Sequence, residues 1–128
     1  MGLLALSLLA AALAACDTGG SICPAFSAPA VVVRITDATT GESAAEGALG
    51  VAQDEAFADT LGRHEVNEAQ EITSLSGAFG RPGEYRVNVE RAGHARWERS
   101  GVVVRSSGGK CPQPVTAVLD ARLQPAAP

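Results

Sequence analysis

The chain has 128 residues, with 10 Lys and Arg against 14 Asp and Glu, for a formal net charge of −4. That balance lacks the basic footprint of a nucleic-acid binder, and the length suits one domain. Aromatic residues make up 4 % of the chain, so a core must come mostly from Val, Leu and Ala.

The first element is the uncharged apolar run from Leu3 to Ala15, thirteen residues. A helix needs about twenty to cross the hydrocarbon core, so this run is too short to span. Its N-terminal position, its Leu/Ala content and the small residues before its break predict a cleaved secretory signal over 1–15, although residues 1–3 carry no Lys or Arg. Leu13-Ala14-Ala15-Cys16 resembles the lipobox of bacterial lipoproteins. The resemblance implies cleavage before Cys16 and attachment of acyl chains, palmitate among them, at Cys16. The mature protein is then lipid-anchored in a bacterial cell envelope, its domain outside the cytoplasm, in the inner or the outer membrane. The other reading is an ordinary Ala-x-Ala-type cut that leaves Cys16 as a free thiol.

Residues 16–28 read as a short tether. With Cys16 assigned to the anchor, Cys23 and Cys111 are the remaining two of three cysteines. An exported compartment permits disulfides. The two sit just before the first and the last strand-like runs, so a bridge between them would tie the ends of the domain together. Two free thiols or a metal pair are the alternatives, but zinc takes about four ligands and neither His64 nor His94 lies near either cysteine in sequence.

From residue 29 the chain reads as strands. "PAVVVRITD" sets Val31, Val33 and Ile35 against Val32, Arg34 and Thr36, the period-two pattern of a half-buried strand, and "DATTGE" follows as a turn. "GALGVAQDEAFADTL" predicts strands near 47–53 and 56–61, although its Ala content leaves a helix open. The polar stretch 62–71 is expected to be an excursion. Strands follow near 72–79 and 85–90, separated by the Gly80-Arg81-Pro82-Gly83 turn. After a turn around Gly93 come strands near 95–105 and 115–123, with "SSGGKCP" between them and 124–128 as a frayed tail. Seven short strands separated by turns predict an all-β fold, a single antiparallel β-sandwich of transthyretin-like or immunoglobulin-like type.

The strings "PAVVVRITDATTGESAAEGALGVA", "GAFGRPGEYRVNVERAGHARW", "GVVV" and "ARL" resemble bacterial carboxypeptidase regulatory-like domains, transthyretin-like sandwiches, over about 29–123. Pro82-Gly83-Glu84-Tyr85-Arg86-Val87 fits that family's hairpin, and Gly93-His94 stands where the family has Gly-Tyr. The matching positions are turn and core positions. What the resemblance implies is an accessory module without the peptidase it accompanies elsewhere.

No residues form a recognisable catalytic motif, phosphate loop or metal signature, so no catalytic residue, metal or cofactor is expected. His64 with Glu65 and Glu68 would bring carboxylate and imidazole together only on a helix. His94 reads as a solvated turn residue. Asp54, Glu55 and Asp59 lack the spacing and the Gly of a calcium loop. Eight acidic residues and one Arg fall between Glu42 and Glu71, whereas six Arg and three Glu fall between Arg81 and Arg105; solvated strand faces and loops explain this more simply than a binding surface does.

Trp97 between Arg96 and Arg99 is the candidate binding surface, since Trp and Arg are enriched at interface hot spots. Alternatively, Trp97 packs on the sandwich with an arginine stem across it. The expected function is a membrane-anchored, non-enzymatic binding or structural module for an envelope protein or glycan, without nucleic-acid partners. A small periplasmic enzyme and an accessory subunit of an envelope assembly are the alternatives.

Overall fold

Val31–Asp37 is the first strand, β1, of a computed structural model that describes residues 22–128; residues 1–21, with the expected signal and Cys16, lie outside the described residues. Seven more strands follow: β2 Leu49–Gln53, β3 Ala58–Thr60, β4 Gly62–Val66, β5 Ile72–Gly77, β6 Gly83–Glu90, β7 Trp97–Val104 and β8 Ala117–Leu123. They form two four-stranded sheets, ordered β4-β5-β1-β8 and β3-β2-β6-β7. The all-β sandwich is therefore as the alternating pattern predicts. Every second connection is a hairpin within one sheet, and those between cross from sheet to sheet.

Three details differ from the expectation. First, the polar stretch opening at residue 62 contains β4, an edge strand exposed along its whole length. Such a strand buries neither face, so it carries no alternation to read. Irregular register against β5 at His64 and Glu65, with charged side chains on the strand, suits an edge that must resist pairing with another chain. Second, β1 pairs with β5 antiparallel but with β8 parallel, from Val31 opposite Ala117 to Asp37 opposite Leu123. The long path from β1 to β8 through the other sheet makes parallel pairing possible. Third, 124–128 is not frayed. Ala95 N–H donates to Gln124 O and Ala126 N–H to Gly93 O, fastening the tail to the β6–β7 turn.

The core lies between the sheets. Val31, Val33 and Ile35 of β1 face Val87 and Val89 of β6, with Leu119, Ala121 and Leu123 of β8 alongside, all buried. Tyr85 is the largest fully buried side chain. Its hydroxyl donates to Arg81 O four residues back, an arrangement like the tyrosine corner of other sandwiches. Burial pushes the phenol above its ordinary value of 10.0. Where β5 leaves for the other sheet, Gly77 has no room for a side chain: a Cβ there would meet Leu61 Cδ2 at 2.6 Å and Asp59 Oδ2 at 2.7 Å.

The disulfide joins Cys23 to Cys111 with their Cα atoms 5.3 Å apart. It links the lead-in of β1 to the β7–β8 loop at one end of the sandwich. The lead-in is held further by Ala28 N–H donating to Gln113 Oε1 and by Thr116 Oγ1 donating to Pro29 O.

Candidate functional site

Strand β7 carries the surface singled out in the sequence. Trp97 begins the strand opposite Val89 and packs, half-buried, against the core. Arg99 lies opposite Val87 and so shares its face of the sheet, but at the rim of the sandwich its side chain is exposed. Its guanidinium carbon sits 5.3 Å from the Trp97 ring centroid, within cation–π range. Trp97 is thus partly a packing residue with Arg99 across it, as the second sequence reading describes. A charged side chain on an edge strand such as β7 also works against pairing with a foreign strand.

Arg96 does not stack on the indole. It lies 3.5 Å from Glu90 and 3.6 Å from Glu98, and Glu98 in turn lies 3.7 Å from Arg86. This ladder of exposed charges crosses β6 and β7. Exposed pairs of this kind contribute about 0–1 kcal/mol each, so the ladder adds little stability. It presents alternating charge that a polar partner can match.

Beside the ladder the register slips between Tyr85 and Val87, and Ser100 and Gly101 bulge. Gly101 has φ of 67°, in the left-handed region that favours glycine. The small bulged residues leave an open groove of about 770 Å³ flanked by Asp54, Glu55, Glu84 and Arg86.

The acidic residues weighed in the sequence are engaged separately. Asp59 accepts the Ala78 N–H at 2.7 Å, bracing a residue of positive φ. Asp54 caps its own turn through the Ala56 N–H and lies 3.7 Å from Arg81, whose guanidinium stacks 3.9 Å over Phe57. Among the described residues no group of three or more His, Cys, Asp or Glu side chains is placed to hold a metal ion. His64 lies on β4 beside Glu65, so the helical grouping with Glu68 does not form.

His94 is the residue the sequence misplaces. Its side chain is only 9 % exposed, and its Nε2 lies 2.8 Å from Asp37 Oδ2. Its Nδ1 lies 3.1 Å from Ala92 O. With an acceptor at each ring nitrogen, both contacts are satisfied only when both nitrogens donate. Asp37, at the end of β1, also accepts the Thr39 and Thr40 N–H groups at 2.8 and 3.0 Å. The His94 hydrogen bond, with these two amides, holds the Asp37 carboxyl down from 3.8 to about 2. The pair ties the β6–β7 turn of one sheet to the end of β1 in the other. Only the turn is visible in "DATTGE"; the partner 57 residues away is not.

The sign of the pH effect follows from that lowering. Stability from the Asp37 contacts is present above the unfolded value near 3.8 and fades as pH falls toward about 2. His94→Ala should move the Asp37 titration back toward 3.8 while leaving the part due to Thr39 and Thr40. Carboxyl NMR titration of both proteins checks this, and an unmoved Asp37 would mean that the turn amides alone hold it.

No family model matches this chain, and no curated protein matches it in sequence. Among the described residues no helix is long and apolar enough to cross a membrane.

Proposed function

We propose that this chain is a bacterial cell-envelope lipoprotein, acylated at Cys16, whose sandwich is a carboxypeptidase regulatory-like module acting by contact with an envelope protein or glycan. The observation that carries the reading is the Cys23–Cys111 bond. Disulfides belong to exported proteins, and this one uses two of the three cysteines. The third, Cys16, directly follows the apolar run and Leu13-Ala14-Ala15. Two stacked sheets with Tyr85 at a sheet crossing fit the resemblance, whose matched positions are turns and core.

Contact rather than turnover is supported by how the polar side chains are used. His94 serves as a strut to Asp37, Asp59 braces the β5–β6 crossing, and the charges on β6 and β7 pair along an open face. Arg96, on the side of the charge ladder, and Arg99, at the rim beside Trp97, are the exposed arginines of the proposed contact region.

One experiment tests anchor and module together. Envelope fractions from cells making the wild type, Cys16→Ser or Arg96→Glu/Arg99→Glu are read for acyl label and for crosslinked partners. Cys16→Ser should lose the label and accumulate uncleaved precursor; the arginine variant should keep the label and lose crosslinks. A mature N-terminus other than Cys16 removes the anchor. Saturable turnover of a small molecule that His64 or His94 substitution abolishes would put an enzyme in place of the module.

A further inference from the structure

The end of the sandwich where the lead-in enters β1 has a composition unlike the rest of the surface. Three segments meet there: residues 22–30, the β5–β6 turn and the β7–β8 loop. Gly80 N–H donates to Ala28 O at 2.9 Å, and a Cβ on Gly80 would meet Ser27 Oγ at 3.0 Å. Phe26 and Phe79 are the chain neighbours of that touching pair. Phe26 is 87 % exposed and Phe79 54 %; Ile22 at 96 % and Val115 at 57 % project from the same three segments. Large apolar side chains grouped and left in water mark a contact surface.

The charge of these three segments is one-sided. Residues 22–30, 77–83 and 105–116 contain Arg81, Arg105 and Lys110 and no Asp or Glu. Asp54 of the neighbouring β2–β3 turn pairs with Arg81, and Glu55 lies beside it. Arg105 and Lys110, on the lead-in side, have no carboxylate within ion-pair distance among the described residues. The opposite end carries Glu42, Glu46, Glu68 and Glu71 in its loops, with Arg91 and Arg96 in the β6–β7 turn.

We propose that this end is a lipid-facing surface, with Ile22, Phe26, Phe79 and Val115 entering the interface of a bilayer and Arg105 and Lys110 meeting its anionic headgroups. The proposal rests on the anchoring reading for its geometry. Ile22 is six residue steps from Cys16, and at about 3.6 Å a step they reach roughly 22 Å at most. A chain acylated at Cys16 therefore brings this end to the membrane first. Apolar insertion combined with attraction to anionic lipid is how a weak peripheral surface binds, and one attached chain makes that weak contact persistent. The domain would then stand upright on the bilayer, with the β6–β7 turn, Arg96 and the acidic loops directed away from it.

The test uses the mature chain carrying Cys16→Ser, oxidised at Cys23 and Cys111, in co-sedimentation with vesicles of phosphatidylcholine alone or with phosphatidylglycerol added. Binding should rise with phosphatidylglycerol and fall with salt. Phe26→Ser/Phe79→Ser should weaken binding about tenfold or more, the loss of two aromatic side chains from the bilayer interface. Arg105→Glu/Lys110→Glu should remove the preference for phosphatidylglycerol. All four side chains are exposed, and unchanged denaturation midpoints confirm that the variants fold. Equal vesicle binding by the Cys16→Ser chain with and without the two phenylalanine substitutions overturns the proposal. So does a dimer in sedimentation equilibrium that the phenylalanine variant dissolves, which makes a second copy the occupant. Failure here is distinct from failure of the anchor: acyl labelling at Cys16 reports the anchor in cells, whereas this binding is measured on a chain without acyl groups.

Discussion

Tyr85→Ala should cost about 3–5 kcal/mol of folding stability, the usual loss when a large buried ring is removed. For a domain of this size total stability is about 5–15 kcal/mol, so the variant should be largely unfolded at modest denaturant. Two functions are combined at this residue. The ring is the largest fully buried side chain between the sheets, and the hydroxyl holds the backbone at Arg81 where the chain crosses from β5 to β6. Tyr85→Phe separates them: it keeps the ring and loses one hydrogen bond, worth about 0.5–1.5 kcal/mol. Arg81 is exposed, so water can replace the lost donor at its carbonyl and keep the cost low. Urea denaturation of the three proteins measures both terms. Similar losses for Ala and Phe would make the corner hydrogen bond, and not the packed ring, the main contribution.

The same residue shows why much of the fold was legible in the sequence. Tyr85, Val87 and Val89 alternate with Arg86, Asn88 and Glu90, and a strand with one face in the core must alternate. β8 announces itself likewise, and β1 does so except at Val32, which the alternation sets on the outer face and the structure buries. The exposed β4 has no such requirement, so its residues read as an excursion. The parallel pairing of β1 with β8 is a relation between strands 80 or more residues apart, which neither strand's own pattern encodes. The tail followed the same logic: Gln124 and Ala126 bond through their backbones, and "QPAAP" carries no side-chain sign of it.

The candidate site was legible only in part. Proximity along the chain drew attention to Arg96, Trp97 and Arg99, but the pleat sends Arg96 to the ladder with Glu90 and Glu98 and Arg99 to the indole. His94 and Asp37 gave no local signal of their contact, because it joins two turns that meet only once both sheets are stacked. The three segments behind the proposed lipid-facing end are equally far apart in sequence. Their shared lack of carboxylates becomes visible only when the fold assembles them.

Removing the disulfide by Cys111→Ala should lower stability by about 2–5 kcal/mol. The loop-closure account puts the figure near 4–5 kcal/mol for a separation of 88 residues. The surroundings of the bond say on which state the loss falls. Cys23 is exposed and Cys111 half-buried, both outside the core, so removing the sulfurs opens no cavity between the sheets. The lead-in also keeps the Ala28–Gln113 and Thr116–Pro29 hydrogen bonds and the bond from Ala117 N–H to Ala30 O. The native sandwich should therefore stay intact, while the unfolded chain gains the freedom that an 88-residue loop had denied it. Two readouts separate this from damage to the folded state. Amide NMR shifts of core residues such as Val33 and Val87 should hardly move, and the urea m-value should rise because the uncrosslinked chain exposes more surface on unfolding. Cys23→Ala, Cys111→Ala and the double variant should then lose nearly the same amount, since each opens the same loop. A single variant that loses much more than the double would trace the cost to the stranded thiol. A wild type whose midpoint ignores reductant, with both thiols alkylated under native conditions, would show that the two ends of the domain are held without the covalent bond.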